Sequence, residues 1–287
     1  MHSTRAHFAR ITAIAATVVA FVSLSFAANP LKNPWGLALD SKGDLYVANS
    51  GANNILVFSP GGALQSSETV TVGISVPSAV AIDSFGNLWV ANLLPGNGNV
   101  SEYTGEAQNT SATVTQDILG PAAITFDNFN NLYVVNDYSY LTVYEPTNPF
   151  TGPSQLIQNV TPSNPIYGVS VGAGAFSWGG ANGTYFEGAT CFLSQNCYEA
   201  FGMGSSGFAL AATPNGTVYI ASLNHTVSSN FPLPGGQGGQ NLDFLLLSFQ
   251  PYGIAVDSTR NRIYLSDFND NEIWVYSTEG KFIKTIK

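Results

Sequence analysis

Two columns of polar residues recur along the chain at a fixed offset. Asp40, Asp83, Asp127 and Asp257, with Thr213 in the same role, each close a short apolar run, and Asn49, Asn92, Asn136, Ser222 and Asp267 follow nine or ten residues later. Carboxylate and amide oxygens are the ligands a hard cation takes, and a bound Ca²⁺ can polarise a carbonyl for attack. Asn92, Asn136 and Asp267 are the candidates for such an oxygen cage. A residue type that returns once per repeat is first a building residue, however, because catalysis needs different groups converging at one place. Short Asx side chains that bond turn amides account for both columns without a ligand. The remaining chemistry-bearing residues are few. His225 is the one histidine beyond His2 and His7, and no motif places it in a Ser-His-Asp triad. Cys191 and Cys197, in "CFLSQNC", are the two cysteines; in an oxidising compartment such a close pair reads as a disulfide closing a short loop.

The elements that must position these residues are short strands. "PWGLALDSKGDLYVAN" (34–49) returns as "PSAVAIDSFGNLWVAN" (77–92), "PAAITFDNFNNLYVVN" (121–136) and, one residue longer, "PYGIAVDSTRNRIYLSD" (251–267). The residues opening the second strand, Leu45, Leu88, Leu132, Val218 and Ile263, are spaced 43, 44, 86 and 45 apart, so a hidden copy belongs near residue 175, where "FSWGG" (176–180) alternates as a strand should. A period of about 44 residues with several strands per unit is the signature of a β-propeller. Within a unit, an inner strand alternates small and large residues, a tight turn such as "DSKG" or "DSFG" follows, and a third strand ends on an aromatic, as in "NILVF" (54–58), "NVSEY" (99–103), "YLTVY" (140–144) and "EIWVY" (272–276). The expected fold is all-β: a six-bladed β-propeller of four-stranded antiparallel blades of about 44 residues each. It spans 28–287 as a single domain, with a degenerate fourth unit near 165–200. "GKFIKTIK" (280–287) reads as an outer edge strand guarded by lysines.

The phrase P-x-G-I-A-V-D-x-x-G-x-L-Y-V-A-N/D, with N-x-I-x-V-F/Y after it, resembles the NHL repeat and, more broadly, the six-bladed propellers that include the SMP-30/gluconolactonase-like proteins. The gluconolactonase-like resemblance implies one divalent cation at the channel mouth and lactone hydrolysis. Here the strand starts carry aromatic or small residues where those families begin with Glu, and the lone His225 does not fit the His-rich zinc site of the NHL-related peptidylglycine lyases.

Charge and composition narrow the partners. Only 9% of the residues are charged, the formal net charge is −9, and no Lys or Arg occurs between Lys42 and Arg260. A surface without cations cannot neutralise phosphates, which argues against nucleic acid and against anionic membranes. Residues 1–27 read as a secretory signal peptide: Arg5 and Arg10 precede an apolar core from Ile11 to Phe26, and Ser25-Phe26-Ala27 forms a small-x-small cleavage site. The expected location is secreted, periplasmic or cell-surface, with no membrane contact beyond export.

The function expected is a binding module for a glycan, peptide or protein, acting through the face that bears the inter-blade loops. The ligand-face candidates are Trp35, Asn49, Asn92, Asn136, Asp137, Tyr138, His225, Tyr252 and Asp267, with Ser78, Ala122 and Tyr167 at the same strand-entry position as Trp35 and Tyr252. No cofactor is required by this reading. The alternatives are a calcium-dependent lactonase or related hydrolase, and a cell-surface structural or adhesion protein that binds through a blade edge or the Cys191–Cys197 loop.

Overall fold

The computed structural model describes residues 28–94, 96–104, 110–145, 155–160, 166–172, 175–180, 183–188, 207–230 and 242–287. They form an all-β propeller of antiparallel sheets, each cut from one continuous stretch of chain. The first holds β1 (Pro34–Leu39), β2 (Leu45–Asn49) and β3 (Asn54–Phe58). The second holds β4 (Pro77–Ile82), β5 (Leu88–Asn92), β6 (Asn99–Tyr103) and β7 (Thr110–Val114). The third is β8 (Pro121–Phe126), β9 (Leu132–Asn136), β10 (Tyr140–Glu145) and β11 (Gln155–Val160). Then come β12 (Ile166–Gly172), β13 (Ala175–Gly180) and β14 (Gly183–Gly188). After them lie β15 (Gly207–Ala212), β16 (Val218–Ser222), β17 (Thr226–Asn230) and β18 (Leu242–Leu246). The last sheet is β19 (Gly253–Asp257), β20 (Arg262–Asp267), β21 (Glu272–Ser277) and β22 (Phe282–Ile286). Five of these sheets are described with side chains on several strands; in the β12–β14 sheet only the inner strand is. The inner strands touch in the order β1, β4, β8, β12, β15, β19, and β19 returns to β1.

The expectation of four strands in every blade is corrected in the first sheet. After β3 the chain turns back, but Gly61, Gly62 and a 3₁₀ turn at Ser66–Glu68 interrupt it, and only Ile55 with Val70 and Phe58 with Leu64 form bridges. The β12–β14 sheet has three strands among the described residues, and β13 occupies the place expected for "FSWGG". Cys191 and Cys197 lie outside the described residues.

Each strand is apolar on both faces because each sheet is sandwiched between two others. Val47 and Leu45 pack toward Tyr264, Ile273 and Val275 of the last sheet, whereas Ala48 and Ile55 of the same blade meet Val80, Leu88 and Val90 of the second. Burying a side chain of this size contributes about 1.5–3 kcal/mol. The small column of the inner strands has a steric cause. A Cβ on Gly36 would lie 2.6 Å from the Cα of Ala79, and one on Gly168 would lie 2.7 Å from the carbonyl oxygen of Phe208.

The Asp column builds turns, as the residues suggested. Asp83 Oδ1 accepts from the backbone N–H groups of Phe85 and Asn87, both at 2.9 Å, and its Oδ2 accepts from Asn87 Nδ2 at 3.0 Å and Trp89 Nε1 at 3.1 Å. Asp127 repeats the pattern with Phe129, Asn131 and the Tyr133 hydroxyl. Asp40 holds the N–H groups of Lys42 and Asp44, and Asp257 holds Arg260 through both its backbone and its guanidinium. The turn is completed by a left-handed residue at Gly43, Gly86, Asn130, Gly216 or Asn261, which explains the Gly and Asn found there.

Candidate functional site

The residues that start the inner strands converge at one end of the channel. Trp35, Ser78, Ala122, Tyr167, Phe208 and Tyr252 occupy equivalent positions, and Tyr138 joins them from the β9–β10 hairpin. The concavity they line encloses about 500 Å³ of empty space, including its open mouth. Its lower wall is aliphatic: Leu37, Val80, Ile124, Val169, Leu210 and Ile254 sit two residues further along the same strands.

The rings form a continuous arc. Tyr138 meets Tyr167 at 5.7 Å between centroids, Tyr167 meets Phe208 at 5.8 Å, Phe208 meets Tyr252 at 5.4 Å, and Tyr252 meets Trp35 edge-on at 5.9 Å. Phe268 braces the end of the arc, stacked on Tyr252 at 4.8 Å and edge-on to Trp35 at 5.7 Å. Ser78 and Ala122 leave the opposite side low. The Ser78 hydroxyl donates to the carbonyl of Pro121 at 2.5 Å, tying two blades together, and Ser266 Oγ donates likewise to the carbonyl of Trp35 at 2.6 Å.

Tyr138 reaches the mouth from an unusual backbone. Both Asp137 (φ 43°) and Tyr138 (φ 52°) are left-handed, in the three-residue turn between β9 and β10, a conformation that ordinarily selects Asn and Gly. The Tyr138 carbonyl accepts from Ile166 N–H at 2.9 Å, which fixes the turn against β12. Burial and the neighbouring Tyr252, Asp137 and Tyr167 raise the Tyr138 hydroxyl pKa, so it stays a hydrogen-bond donor at neutral pH. A left-handed non-glycine residue costs roughly 1–2 kcal/mol, and such strain concentrates at functional sites.

The remaining candidates lie elsewhere. Asn49, Asn92 and Asn136 are 0% exposed, behind the mouth, with their amides engaged. Asn92 Oδ1 accepts from Ser75 N–H at 2.9 Å and its Nδ2 donates to Asn99 Oδ1 at 2.9 Å. Asn49 accepts from Lys32 N–H and donates to Pro30 O and Asn54 Oδ1. Each amide fastens the incoming connection to the second and third strands of its own blade. His225 is exposed on the β16–β17 turn, in a left-handed conformation, and is not among the mouth residues. Asp137 is exposed in the same turn as Tyr138 and is not among the residues that line the concavity. Among the described residues no group of three or more His, Cys, Asp or Glu side chains could hold a metal ion.

Asp267 departs from its column. It is 1% exposed; Oδ1 accepts from the N–H groups of Asn269 and Asp270, while Oδ2 has no hydrogen-bond partner among the described residues. Its cross-strand neighbour is Glu272, where Asn49 and Asn92 face asparagines to which they donate. Burial, then Asp270 and Glu272, raise its pKa above the ordinary carboxylate range, against the pull of its two backbone hydrogen bonds. A carboxyl whose folded pKa is raised keeps its proton more tightly in the folded state, so stability falls as pH rises from about 4 through the folded pKa. Asp267→Asn is therefore expected to flatten that fall and to raise the melting temperature more at pH 7 than at pH 4. Equal shifts at both pH values would show that Asp267 is not a strained carboxyl.

Two residues of the arc escaped the sequence-based candidates. Phe208 has a signal, since "GFALAATPNG" aligns with "PWGLALDSKG" and puts Phe208 in register with Trp35. Phe268 follows Asp267 in a loop outside the repeat, and only its stacking on Tyr252 reveals it.

Comparison with known proteins bears on the fold. A family profile described as the NHL repeat matches residues 31–58, the segment that builds the first sheet. Among solved structures, one titled "Streptogramin B lyase structure" superposes with a TM-score of 0.63 over 91% of this chain and 85% of its own, at 12% identity. Hydrazine synthase of Kuenenia stuttgartiensis superposes with a TM-score of 0.56 over 90% of this chain and 99% of its own, at 11% identity. No curated protein matches the sequence. The chain carries an NHL repeat within a β-propeller fold, a scaffold that serves both binding proteins and enzymes.

Proposed function

We propose that this chain is an exported, six-bladed binding propeller that takes an exposed group of a peptide or glycan into its aromatic mouth. The observation that carries this reading is the arc of five rings at the mouth, with strain at Tyr138. Among the described residues the concavity is lined by rings and aliphatic side chains, and Asn92, Asn136 and Asp267 turn into their blades, a lining suited to holding a ligand. Residues 1–27, as a signal peptide, would place it outside the cytoplasm.

The test is a binding screen of soluble oligosaccharides and peptides against the mature protein, repeated with three variants. Tyr252→Ala and Tyr138→Gly should abolish the binding found, and His225→Ala should leave it intact. Tyr138→Gly should also melt no lower than the parent, because relief of the left-handed tyrosine offsets the lost ring contact. Binding that survives both mouth substitutions would move the interaction to a blade edge and end this reading.

A further inference from the structure

Resting on that reading, we propose that the group the mouth grips is an organic cation, the quaternary or alkylated ammonium of a ligand, held against the rings of Trp35, Tyr138, Tyr167, Phe208 and Tyr252, with the Asp137 carboxylate in the turn next to Tyr138. Aromatic rings attract a cation within about 6 Å of their centroids, most strongly where water is excluded. Neighbouring rings in this arc stand 5.4–5.9 Å apart, so a compact cation seated within it meets several at once.

Charge on the page favours the same occupant. No Lys or Arg lies between Lys42 and Arg260, a span that carries 13 of the 18 acidic residues and four of the five cage residues. None of the residues that line the mouth is cationic. The field over the mouth therefore attracts a positive ligand and repels an anionic one. The deeper wall is aliphatic and the Ser78 hydroxyl is committed to Pro121. A quaternary ammonium has no N–H to satisfy, and its methyl groups suit the ring of Leu37, Val80 and Ile254. The low side at Ser78 and Ala122 is the exit for the remainder of the ligand.

The experiment is calorimetric titration of the mature protein with choline and with tetramethylammonium, beside 3,3-dimethyl-1-butanol, the uncharged carbon analogue of choline. The cations should bind in the millimolar range or better, and the neutral analogue about tenfold or more weakly. Tyr252→Ala should weaken choline about tenfold while Tyr252→Phe, which keeps the ring, retains most of the affinity. Asp137→Asn should weaken it a few-fold and reduce its salt dependence. Equal binding of choline and its neutral analogue would overturn the cation assignment and leave the mouth as an apolar binding site. No binding of either cation at tens of millimolar would overturn it too, and the oligosaccharide and peptide screen then judges the mouth itself.

Discussion

Gly253→Ala should destabilise the protein by about 3 kcal/mol or more, the scale of forcing an extra methyl into a closed packing site. The added Cβ would lie 2.3 Å from the carbonyl oxygen of Trp35, 3.2 Å from its carbonyl carbon and 3.0 Å from Ser266 Oγ. Two of these atoms are backbone and cannot rotate away, and the third is the hydroxyl that donates to the same Trp35 carbonyl. The strand β19 would have to retreat from β1, which loosens the junction between the last and first sheets and separates Tyr252 from Trp35. The control is Gly86→Ala. Gly86 has φ +86° and nothing within 4 Å of an added Cβ, so only the backbone term of about 1 kcal/mol remains. Urea unfolding of both variants measures the contrast. A Gly253→Ala variant as stable as the parent would mean that the ring does not close through this contact.

Asn136→Leu is expected to cost about 3 kcal/mol although the branched side-chain skeleton is kept. The wild-type amide is fully buried, accepts from Leu119 N–H at 3.0 Å, and donates to Thr142 Oγ1 at 2.9 Å and to the carbonyl of Val134 at 3.1 Å. Leucine leaves the buried Leu119 N–H without its acceptor and takes one donor each from the Val134 carbonyl and the Thr142 hydroxyl, where water cannot replace them. The same variant should bind mouth ligands with little change if enough of it folds, because the amide lies behind the aromatic arc. A loss of binding at unchanged stability would return Asn136 to the ligand face.

The features legible in the sequence are those that close packing demands once per blade. Gly36, Ala79, Gly168 and Gly253 recur as small residues because adjacent inner strands touch there, and Asp83 and Asp127 recur because one carboxylate can serve several donors in a tight turn. What stayed hidden depends on side-chain direction. Asn92 and Asn136 stand at the end of the strand nearest the mouth, which suggested the ligand face. The peptide N–H groups of Ser75 and Leu119 need an acceptor in the interior, and the amides turn inward to supply it. The missing outer strand of the first sheet was equally hidden, since "GGALQSSETVTV" contains enough β-branched residues to read as a strand while its glycines and 3₁₀ turn interrupt pairing. The mouth itself was half legible: Trp35 and Tyr252 share a repeat position, whereas Phe268 sits in an irregular loop.

The way the ends of the chain meet bears on how the molecule assembles. Among the described residues no sheet borrows a strand from another part of the sequence, so the strand pairing there joins residues close in the chain. The long-distance requirement falls on the seam, where Asn33 N–H donates to Asn271 Oδ1 at 2.7 Å, Asn33 Nδ2 to the carbonyl of Phe268 at 3.0 Å, and Asn29 Nδ2 to the carbonyl of Asn271 at 2.7 Å. Contacts between sequence neighbours form early and cheaply, whereas a contact across more than two hundred residues waits on chain closure. Successive sheets can therefore fold in the order of synthesis. The asparagine latch is made last, and it sits beside Phe268, Tyr252 and Trp35, so the aromatic mouth is complete only when the last sheet has docked on the first.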